Sequence, residues 1–193
     1  MNITVYCGAA EGADPEYAAR AKELGVWMAK HGHVMIYGAG NSGMMGAVSD
    51  ALIGNGGSAI GVTPEFFVLA EETRSDLDEV VLADDMSSRR SWMIDHGDAF
   101  IALPGGMGTL DEITEVMTYK RLGLLGETNK PVMIYNVNGY YDRLFDFLDD
   151  MLAQGFCRQL DRDNVIEVTC IEDIEKALES AGKTDETRTS KYV

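Results

Sequence analysis

The sequence predicts an α/β fold, doubly wound in three layers around a mostly parallel sheet of about seven strands. Two observations predict this class. Short runs rich in Val, Ile and Tyr alternate with longer segments of helical character along the 193 residues. The runs are apolar at consecutive positions, as expected for strands that helices cover on both faces of a parallel sheet. The predicted architecture is therefore Rossmann-like.

Seven such runs are predicted to be strands. They cover Ile3–Tyr6, Val34–Tyr37, Ala59–Val62, Val80–Leu82, Phe100–Leu103, Val132–Tyr135 and Val165–Val168. Hydrophobic residues make up 46% of the chain, and there is neither a repeat nor a flexible linker. We therefore expect one α/β domain over residues 1–181, followed by a polar C-terminal tail over residues 182–193.

The first long segment between strands has the clearest helix signals. Asp14 is a favourable N-cap, and Pro15 follows it at the first helical position. Gly32 comes just after Lys30, where the helical pattern ends. These signals predict a helix from Pro15 to Lys30.

A second helix is predicted from Thr109 to Leu122. Its apolar stripe consists of Leu110, Ile113 and Met117. This spacing predicts that the stripe faces the sheet. Glu112 and Glu115 share another side of the helix, so two carboxylates are expected one turn apart.

Charge and composition exclude several classes of function. The net charge of −16 would repel a nucleic-acid backbone, although a helix N-terminus can still hold a small anion at short range. No apolar run approaches the roughly 20 residues that cross a bilayer, and the first residues lack a signal-peptide pattern. Three widely spaced cysteines indicate a reducing compartment. We expect a cytoplasmic protein with neither a membrane nor a nucleic-acid partner.

The histidines give no indication of a metal site. His31, His33 and His96 lack the His-x-x-x-His spacing with an added carboxylate that zinc enzymes use. Neither a metal nor another cofactor is expected. Cys7 follows a strand, but no His is near it in sequence, so a small buried thiol without chemistry is expected.

Glycines concentrate where three predicted strands end. The loops cover residues 7–12, 38–43 and 104–109. In a parallel α/β sheet, ligands bind outside the carboxyl ends of the strands, where glycines let backbone N–H groups approach an anion. One such loop alone would as readily be structural, but three together indicate phosphate binding. The loops match neither a P-loop nor a dinucleotide fingerprint.

The third loop reads Pro104-Gly105-Gly106-Met107-Gly108-Thr109-Leu110-Asp111-Glu112. This string resembles the PGGxGTxxE signature of the LONELY GUY (LOG) family. Residues 86–90 are similar to the family's MxxRK segment, and residues 38–46 and 57–64 to its YGGGxxGLMG and GGxxxGVIP stretches. The resemblance implies a homodimeric cytokinin riboside 5′-monophosphate phosphoribohydrolase. Such an enzyme hydrolyses the N-glycosidic bond of an N6-modified adenosine 5′-monophosphate to free base and ribose 5-phosphate.

The resemblance also implies roles for matched residues. Arg89 and Glu112 would be catalytic, because a carboxylate near the ribose can stabilise the positive charge that builds up as the bond breaks. The candidate substrate-binding residues are Gly8, Gly40, Gly43, Met86, Arg90, Gly105, Gly106, Gly108, Thr109 and Glu115. Members are often mislabelled lysine decarboxylases, yet no Gly-rich loop here carries a Lys that could hold pyridoxal phosphate.

Two residues depart from the family pattern. Arg90 replaces the usual Lys, and Ala39 stands where Gly is frequent. Arg90 keeps the positive charge in a different geometry, so the preferred base stays open. A nucleosidase acting on AMP or another common nucleotide is one alternative. A non-catalytic carrier of a nucleotide or of molybdenum cofactor is another, although a pure carrier would not need both Arg89 and Glu112.

Overall fold

The computed structural model describes residues 1–69 and 73–183. Seven strands in these residues form one sheet. They are β1 (Asn2–Tyr6), β2 (Val34–Tyr37), β3 (Ser58–Pro64), β4 (Glu79–Ala83), β5 (Ala99–Ala102), β6 (Val132–Tyr135) and β7 (Val165–Val168). Every strand pairing is parallel, in the order β4-β3-β2-β1-β5-β6-β7. The predicted fold class is confirmed, and each predicted strand is found with ends displaced by at most two residues.

Helices cover both faces of the sheet. They are α1 (Pro15–Lys30), α2 (Gly43–Gly54), α3 (Glu65–Leu69), α4 (Met86–His96), α5 (Met107–Leu122), α6 (Asp142–Ala153), α7 (Gln159–Asp163) and α8 (Ile171–Leu178). One hydrophobic layer contains buried residues of α1, α2 and α8, and the other contains those of α4, α5 and α6. Phe100 and Ile101, neighbours on β5, lie in opposite layers. Burial on both faces explains why the strands are apolar at consecutive positions.

Helix α1 has the predicted bounds. The Asp14 carboxylate accepts a hydrogen bond from the Glu16 N–H at 2.9 Å, which satisfies a donor that the helix itself leaves unpaired. Gly32 has a φ of 63° and donates its N–H to the Ala29 carbonyl at 3.2 Å. These local contacts fix where the helix begins and ends.

Helix α5 differs from its prediction in two ways. It begins at Met107, two residues before the predicted start at Thr109. Its buried residues are Thr109, Ile113, Val116 and Lys120. Leu110 and Met117, expected in the buried stripe, are only half-buried at the edge of the core. The buried face of the helix is therefore rotated from the predicted one. The prediction missed this because two of the buried residues, Thr109 and Lys120, are polar, and a hydrophobic pattern does not indicate them.

The strand order changes direction between β1 and β5, which are adjacent in the sheet although three strands and four helices separate them in sequence. The loops after these two strands leave toward opposite faces and open a crevice between them, the usual ligand site of such sheets. Both are Gly-rich loops of the prediction. No helix in the described ranges is long and apolar enough to cross a membrane. Residues 184–193 of the predicted tail lie outside those ranges, so the division at residue 181 stays a prediction.

Candidate active site

A pocket of about 370 Å³ lies at the carboxyl ends of the central strands. Eight of the twelve predicted site residues line it: Gly8, Gly40, Met86, Arg89, Gly106, Gly108, Thr109 and Glu112. The other four, Gly43, Arg90, Gly105 and Glu115, do not line its wall. The topology thus brings residues from three Gly-rich loops and two helices around one cavity.

Arg89 and Glu112 form a buried ion pair on the wall of this pocket. The Arg89 Nη1 lies 2.5 Å from the Glu112 Oε1, and the two side chains are only 10% and 11% exposed. The Arg89 Nε also donates to the Val62 carbonyl at 2.9 Å. A buried charge is tolerated only when it is paired and hydrogen-bonded, and both conditions are met here.

The start of α4 fixes the direction of Arg89. Asp85 is the N-cap, and its carboxylate accepts from the Ser88 N–H at 2.7 Å while the Ser88 hydroxyl accepts from the Asp85 N–H at 3.0 Å. This reciprocal capping box holds the first turn, and it lowers the pKa of Asp85 below its usual value. Arg89 follows one residue later, on the side of the helix that faces the sheet.

Gly38, which was not among the predicted site residues, makes room for the Arg89 guanidinium. A Cβ at this position would lie closer than 3.0 Å to the Arg89 Nη2. Gly38 directly follows the last residue of β2 and lines the pocket, so any side chain here would occupy the space that the cation fills. The signal was available in the sequence, because Gly38 opens the second Gly-rich loop, but only the fold shows which side chain it accommodates.

Burial controls the protonation of the acids around the pair. It raises the pKa of Glu112 above its usual value, and Arg89 partly offsets this by favouring the carboxylate. It also raises the pKa values of the Tyr6 hydroxyl and the Cys7 thiol, and the nearby Glu112 charge adds to both shifts. Cys7 is therefore a protonated thiol in the pocket wall, which agrees with the expectation that it carries no chemistry.

A second Arg–Glu pair lies beside the first on the same two helices. The Arg90 Nε contacts the Glu115 Oε2 at 2.7 Å, and its Nη1 lies 3.3 Å from the Asp111 Oδ2. This pair is more exposed, at 22% and 28% for the Arg90 and Glu115 side chains. Glu112 and Glu115 are thus one turn apart as predicted, and each pairs with one of two consecutive arginines.

The N-terminus of α5 opens at the pocket without a side-chain cap. Its N-cap is Gly106, so no side chain can accept from the first N–H groups of the helix. Gly106, Gly108 and Thr109 all line the pocket. The unpaired N–H groups and the helix dipole make this end a binding site for an anion.

Two of the predicted glycines let loops pack closely around that helix end. A Cβ on Gly105 would lie closer than 3.0 Å to both the Thr109 side chain and the Gly8 backbone. Gly43 has a φ of 60°, and its Cβ would collide with the Ala9 backbone. Gly43 and Gly105 therefore pack against neighbouring loop residues and not against the cavity, which explains why they do not line the pocket.

The pocket lining also combines apolar side chains with hydroxyl groups. Met45, Phe67 and Met86 supply the apolar surface, and Thr63 and Thr73 the hydroxyls. The Thr73 Oγ1 is buried and has no hydrogen-bond partner among the described residues. A buried polar atom usually has a partner, so this oxygen is available to a ligand.

Thr73 and Arg74 contact the second Gly-rich loop through backbone hydrogen bonds. It forms an isolated antiparallel bridge with Gly40, and the Arg74 N–H donates to the Ala39 carbonyl at 2.8 Å. Ala39 has a φ of 63°, in the left-handed region that favours glycine. The residue that departs from the family pattern is thus held in a backbone conformation that favours glycine.

Comparison with known proteins supplies the family. A family profile described as "Possible lysine decarboxylase" matches residues 45–180. The cytokinin riboside 5′-monophosphate phosphoribohydrolase LOG1 of Arabidopsis thaliana is 38% identical over 92% of this chain and 82% of its own. A cytokinin riboside 5′-monophosphate phosphoribohydrolase of Rhodococcoides fascians is also 38% identical, over 92% of this chain and 87% of its own. The chain belongs to the LOG family.

The fold of this LOG family member is also found in solved structures. The molybdenum cofactor binding protein of Rippkaea orientalis superposes with a TM-score of 0.67 at 24% identity, over 93% of this chain and 95% of that one. The molybdenum cofactor carrier protein of Chlamydomonas reinhardtii gives a TM-score of 0.66 at 22% identity, over 93% and 96% of the two chains. At these identities the likeness shows a common fold and carries no statement about a ligand.

The decarboxylase description finds no chemical counterpart in the pocket of this LOG family member. Within residues 1–69 and 73–183, no Lys lines the pocket. Lys120 is the buried Lys of α5, and its Nζ donates to the Asn129 side chain. Across residues 1–69 and 73–183, no three His, Cys, Asp or Glu side chains are grouped closely enough to hold a metal ion.

Proposed function

We propose that this protein hydrolyses the N-glycosidic bond of an N6-modified adenosine 5′-monophosphate, releasing the free base, a cytokinin, and ribose 5-phosphate. One observation carries the proposal: a buried Arg89–Glu112 pair lies in the same pocket as the uncapped N-terminus of α5. The first supplies a carboxylate for the ribose and the second a site for its 5′-phosphate. The relatives, which are named for this activity, support the same proposal.

The phosphate group would bind at the start of α5. Gly106, Gly108 and Thr109 line this part of the pocket, and a helix N-terminus favours an anion through its N–H groups and its dipole. The Thr109 side chain belongs to a residue that is 3% exposed and is packed on the Gly105 backbone, so its position is fixed before the ligand arrives. A preformed site lowers the entropy that binding costs.

The reaction itself would use Glu112. Water attacks C1′ of the ribose, the C–N bond breaks, and its electron pair leaves with the base, which takes up a proton. Positive charge builds up on C1′ and the ring oxygen in the transition state, and the Glu112 carboxylate stabilises it and accepts a proton from the attacking water. The charge of Arg89, 2.5 Å away, favours the ionised carboxylate and partly offsets the effect of burial on the pKa of Glu112.

The base would occupy the end of the pocket formed by Met45, Phe67 and Met86. Apolar and flexible methionine side chains suit an alkyl substituent on the amino group of adenine. Thr63 and Thr73 place hydroxyl groups beside them, and the buried Thr73 Oγ1 is available to the polar edge of the ring. This mixture favours a substituted purine over a small polar base.

We further propose that the protein is a cytoplasmic homodimer with one nucleotide-binding domain over residues 1–181. All three cysteines are free, which suits a reducing compartment. Phe66, Val80 and Leu82 expose apolar side chains near the outer strand β4, where a second copy could cover them. Light scattering after size-exclusion chromatography measures the mass; a single-chain mass at micromolar concentration would contradict the dimer.

The activity is tested by following free base by chromatography after incubation with AMP and with isopentenyladenosine 5′-monophosphate. Wild type should release base from both and faster from the prenylated nucleotide, whereas Glu112→Gln and Arg89→Ala should each lose more than about 100-fold in rate. The matched controls are Arg20→Ala and Glu23→Gln, which break an exposed Arg–Glu pair on α1. Both should act like wild type.

Each possible result has a distinct meaning. Preference for AMP itself would indicate a general nucleotide nucleosidase. Tight AMP binding without any release of base would indicate a non-catalytic carrier. Full activity in Glu112→Gln would refute the assignment of the carboxylate.

A further inference from the structure

Two consecutive tyrosines contact the loop before α5 from the side away from the pocket. Tyr140 and Tyr141 follow a 3₁₀ turn at Val137–Gly139, which comes after β6. The Tyr140 hydroxyl donates to the Gly105 carbonyl at 2.6 Å, and the Tyr141 hydroxyl donates to the Leu103 carbonyl at 2.9 Å. Neither tyrosine lines the pocket.

These bonds fix every carbonyl group of the loop. Between the two tyrosine contacts, the Pro104 carbonyl accepts from the Gly8 N–H at 3.1 Å. The next carbonyl, that of Gly106, accepts from the Leu110 N–H at 3.1 Å within the helix. Four consecutive carbonyl groups are therefore held, and two of them depend on tyrosine hydroxyls.

A held carbonyl also sets the direction of an N–H group. In a trans peptide unit, the C=O of one residue and the N–H of the next point in opposite directions within one plane. The Gly105 carbonyl points toward Tyr140, so the N–H of Gly106 points away from Tyr140, and Gly106 lines the pocket. Without that bond, a Gly-Gly peptide could rotate easily, because neither residue has a side chain that restricts it.

The segment that carries the tyrosines is itself held at several points. The Asn136 Oδ1 accepts from the Tyr141 N–H at 2.7 Å, and the Asn138 Nδ2 donates to the Asp14 Oδ2 at 2.9 Å. The Tyr140 ring packs edge-on against Tyr17, with 5.4 Å between the ring centres. The contact to Gly105 therefore comes from a rigid support.

We propose that Tyr140 is a positioning residue for phosphate binding: its hydrogen bond to the Gly105 carbonyl directs the Gly106 N–H toward the phosphate of the substrate. The proposal rests on the proposed function, since it takes the phosphate to bind at the start of α5. Donation to the carbonyl also polarises the peptide unit and so makes its N–H a better donor. Tyr140 acts through the backbone and does not contact the substrate.

The test is the variant Tyr140→Phe, which removes one oxygen and keeps the ring. Tyr140 is 43% exposed, so the variant should unfold at nearly the same urea concentration as wild type. The dissociation constant for AMP, measured by calorimetry with Glu112→Gln present in both proteins so that AMP is not hydrolysed, should rise about threefold to tenfold, the effect of one hydrogen bond. The constant for adenosine, which lacks the phosphate, should not change. In turnover, KM should rise by a similar factor while kcat stays within about twofold.

The matched control is Tyr17→Phe, because Tyr17 contacts the same ring but its hydroxyl makes no hydrogen bond within the described residues. It should bind AMP like wild type. Equal weakening of AMP and adenosine, or unchanged AMP affinity, in Tyr140→Phe would overturn the proposal. Turnover by wild type tests the proposed function separately: failure to release base would refute that function, whereas the comparison of AMP with adenosine would still decide the role of Tyr140.

Discussion

Replacing Gly38 by Ala tests whether the position of Arg89 limits activity. The added Cβ would lie closer than 3.0 Å to the Arg89 Nη2, whereas ordinary contacts are 3.4–4 Å. Gly38 does not have a positive φ, so Ala fits the backbone; the severe conflict is with the guanidinium, and the Met45 Sδ would lie 3.3 Å from the added Cβ. Arg89 must move away, and it cannot do so while keeping its bonds to both Val62 and Glu112.

The size of the effect follows from this geometry. A shift of roughly 1 Å in a catalytic group costs about 100-fold in rate, so kcat/KM for nucleotide hydrolysis should fall by about that factor. The unfolding free energy should fall by about 1–3 kcal/mol, because one charged hydrogen bond of a buried pair is weakened. Most molecules should stay folded after a loss of this size, so the decrease in activity would not be caused by unfolding.

The assay combines release of free base with urea unfolding. Gly54→Ala is the matched control, because a Cβ at Gly54 meets nothing within 4 Å, and Ala at the end of α2 should stabilise the protein by up to about 1 kcal/mol. The reasoning would be refuted if Gly38→Ala kept the kcat/KM of wild type. A loss of rate in Gly54→Ala as large as in Gly38→Ala would also contradict it.

Three further predictions concern protonation and charge. Since burial raises the pKa of Glu112 and the ionised form is active, kcat/KM should decline on the acidic side at a pH above the usual carboxyl value of about 4.3; a profile of kcat/KM against pH with no decline above pH 4.3 would contradict this. The contribution of this group to stability should decrease as pH rises through the same range. In the native protein at pH 8, iodoacetamide should modify Cys157 and Cys170 and leave Cys7 unmodified, because Cys7 is buried and its thiol has a raised pKa. Mass spectrometry measures the labelling of each cysteine; early labelling of Cys7 would refute its burial. Arg90→Lys should lower the unfolding free energy, measured with urea, by less than about 1 kcal/mol, because the lost contacts to Glu115 and Asp111 are partly exposed; a larger loss would mean that the pair is structural.

Local signals in the sequence were sufficient for much of the fold. Asp14, Pro15 and Gly32 each act within one turn of α1, so its ends could be predicted from neighbouring residues alone. Most strands were recognisable because both of their faces are buried and most of their positions are apolar, although the outer strand β4 exposes Val80 and Leu82. Helix α5 shows the limit of this reasoning. Its N-cap is Gly106, which leaves no side-chain signal, and the predicted start fell on Thr109 instead.

The candidate site could be predicted as a set of residues but not as an arrangement. The loop motifs indicated Arg89 and Glu112, yet nothing in the sequence shows that the two are paired or that Arg90 pairs with Glu115. These contacts depend on how α4 and α5 lie side by side, which only the completed sheet determines. The role of Gly38 is also a property of the fold, because it depends on a side chain 51 positions away.

Tyr140 was not predicted for a related reason. Its contact with Gly105 joins residues 35 positions apart and uses a backbone carbonyl, which leaves no pattern of residue types at the acceptor. Hydrogen bonds from side chains to a distant backbone are set by topology alone. Residues that contact a ligand often belong to a sequence motif, whereas a residue such as Tyr140, which supports them through the backbone, belongs to none.

The pairing of Arg89 with Glu112 has a consequence for how fast a ligand is captured. The pocket's guanidinium is already neutralised, so a phosphate dianion approaching a chain of net charge −16 meets repulsion until it comes within a few ångströms of α5. At physiological ionic strength this repulsion extends about 8 Å, and added salt shortens its range. Capture should thus become faster with moderate salt, the opposite of an enzyme that attracts its substrate through a positively charged surface.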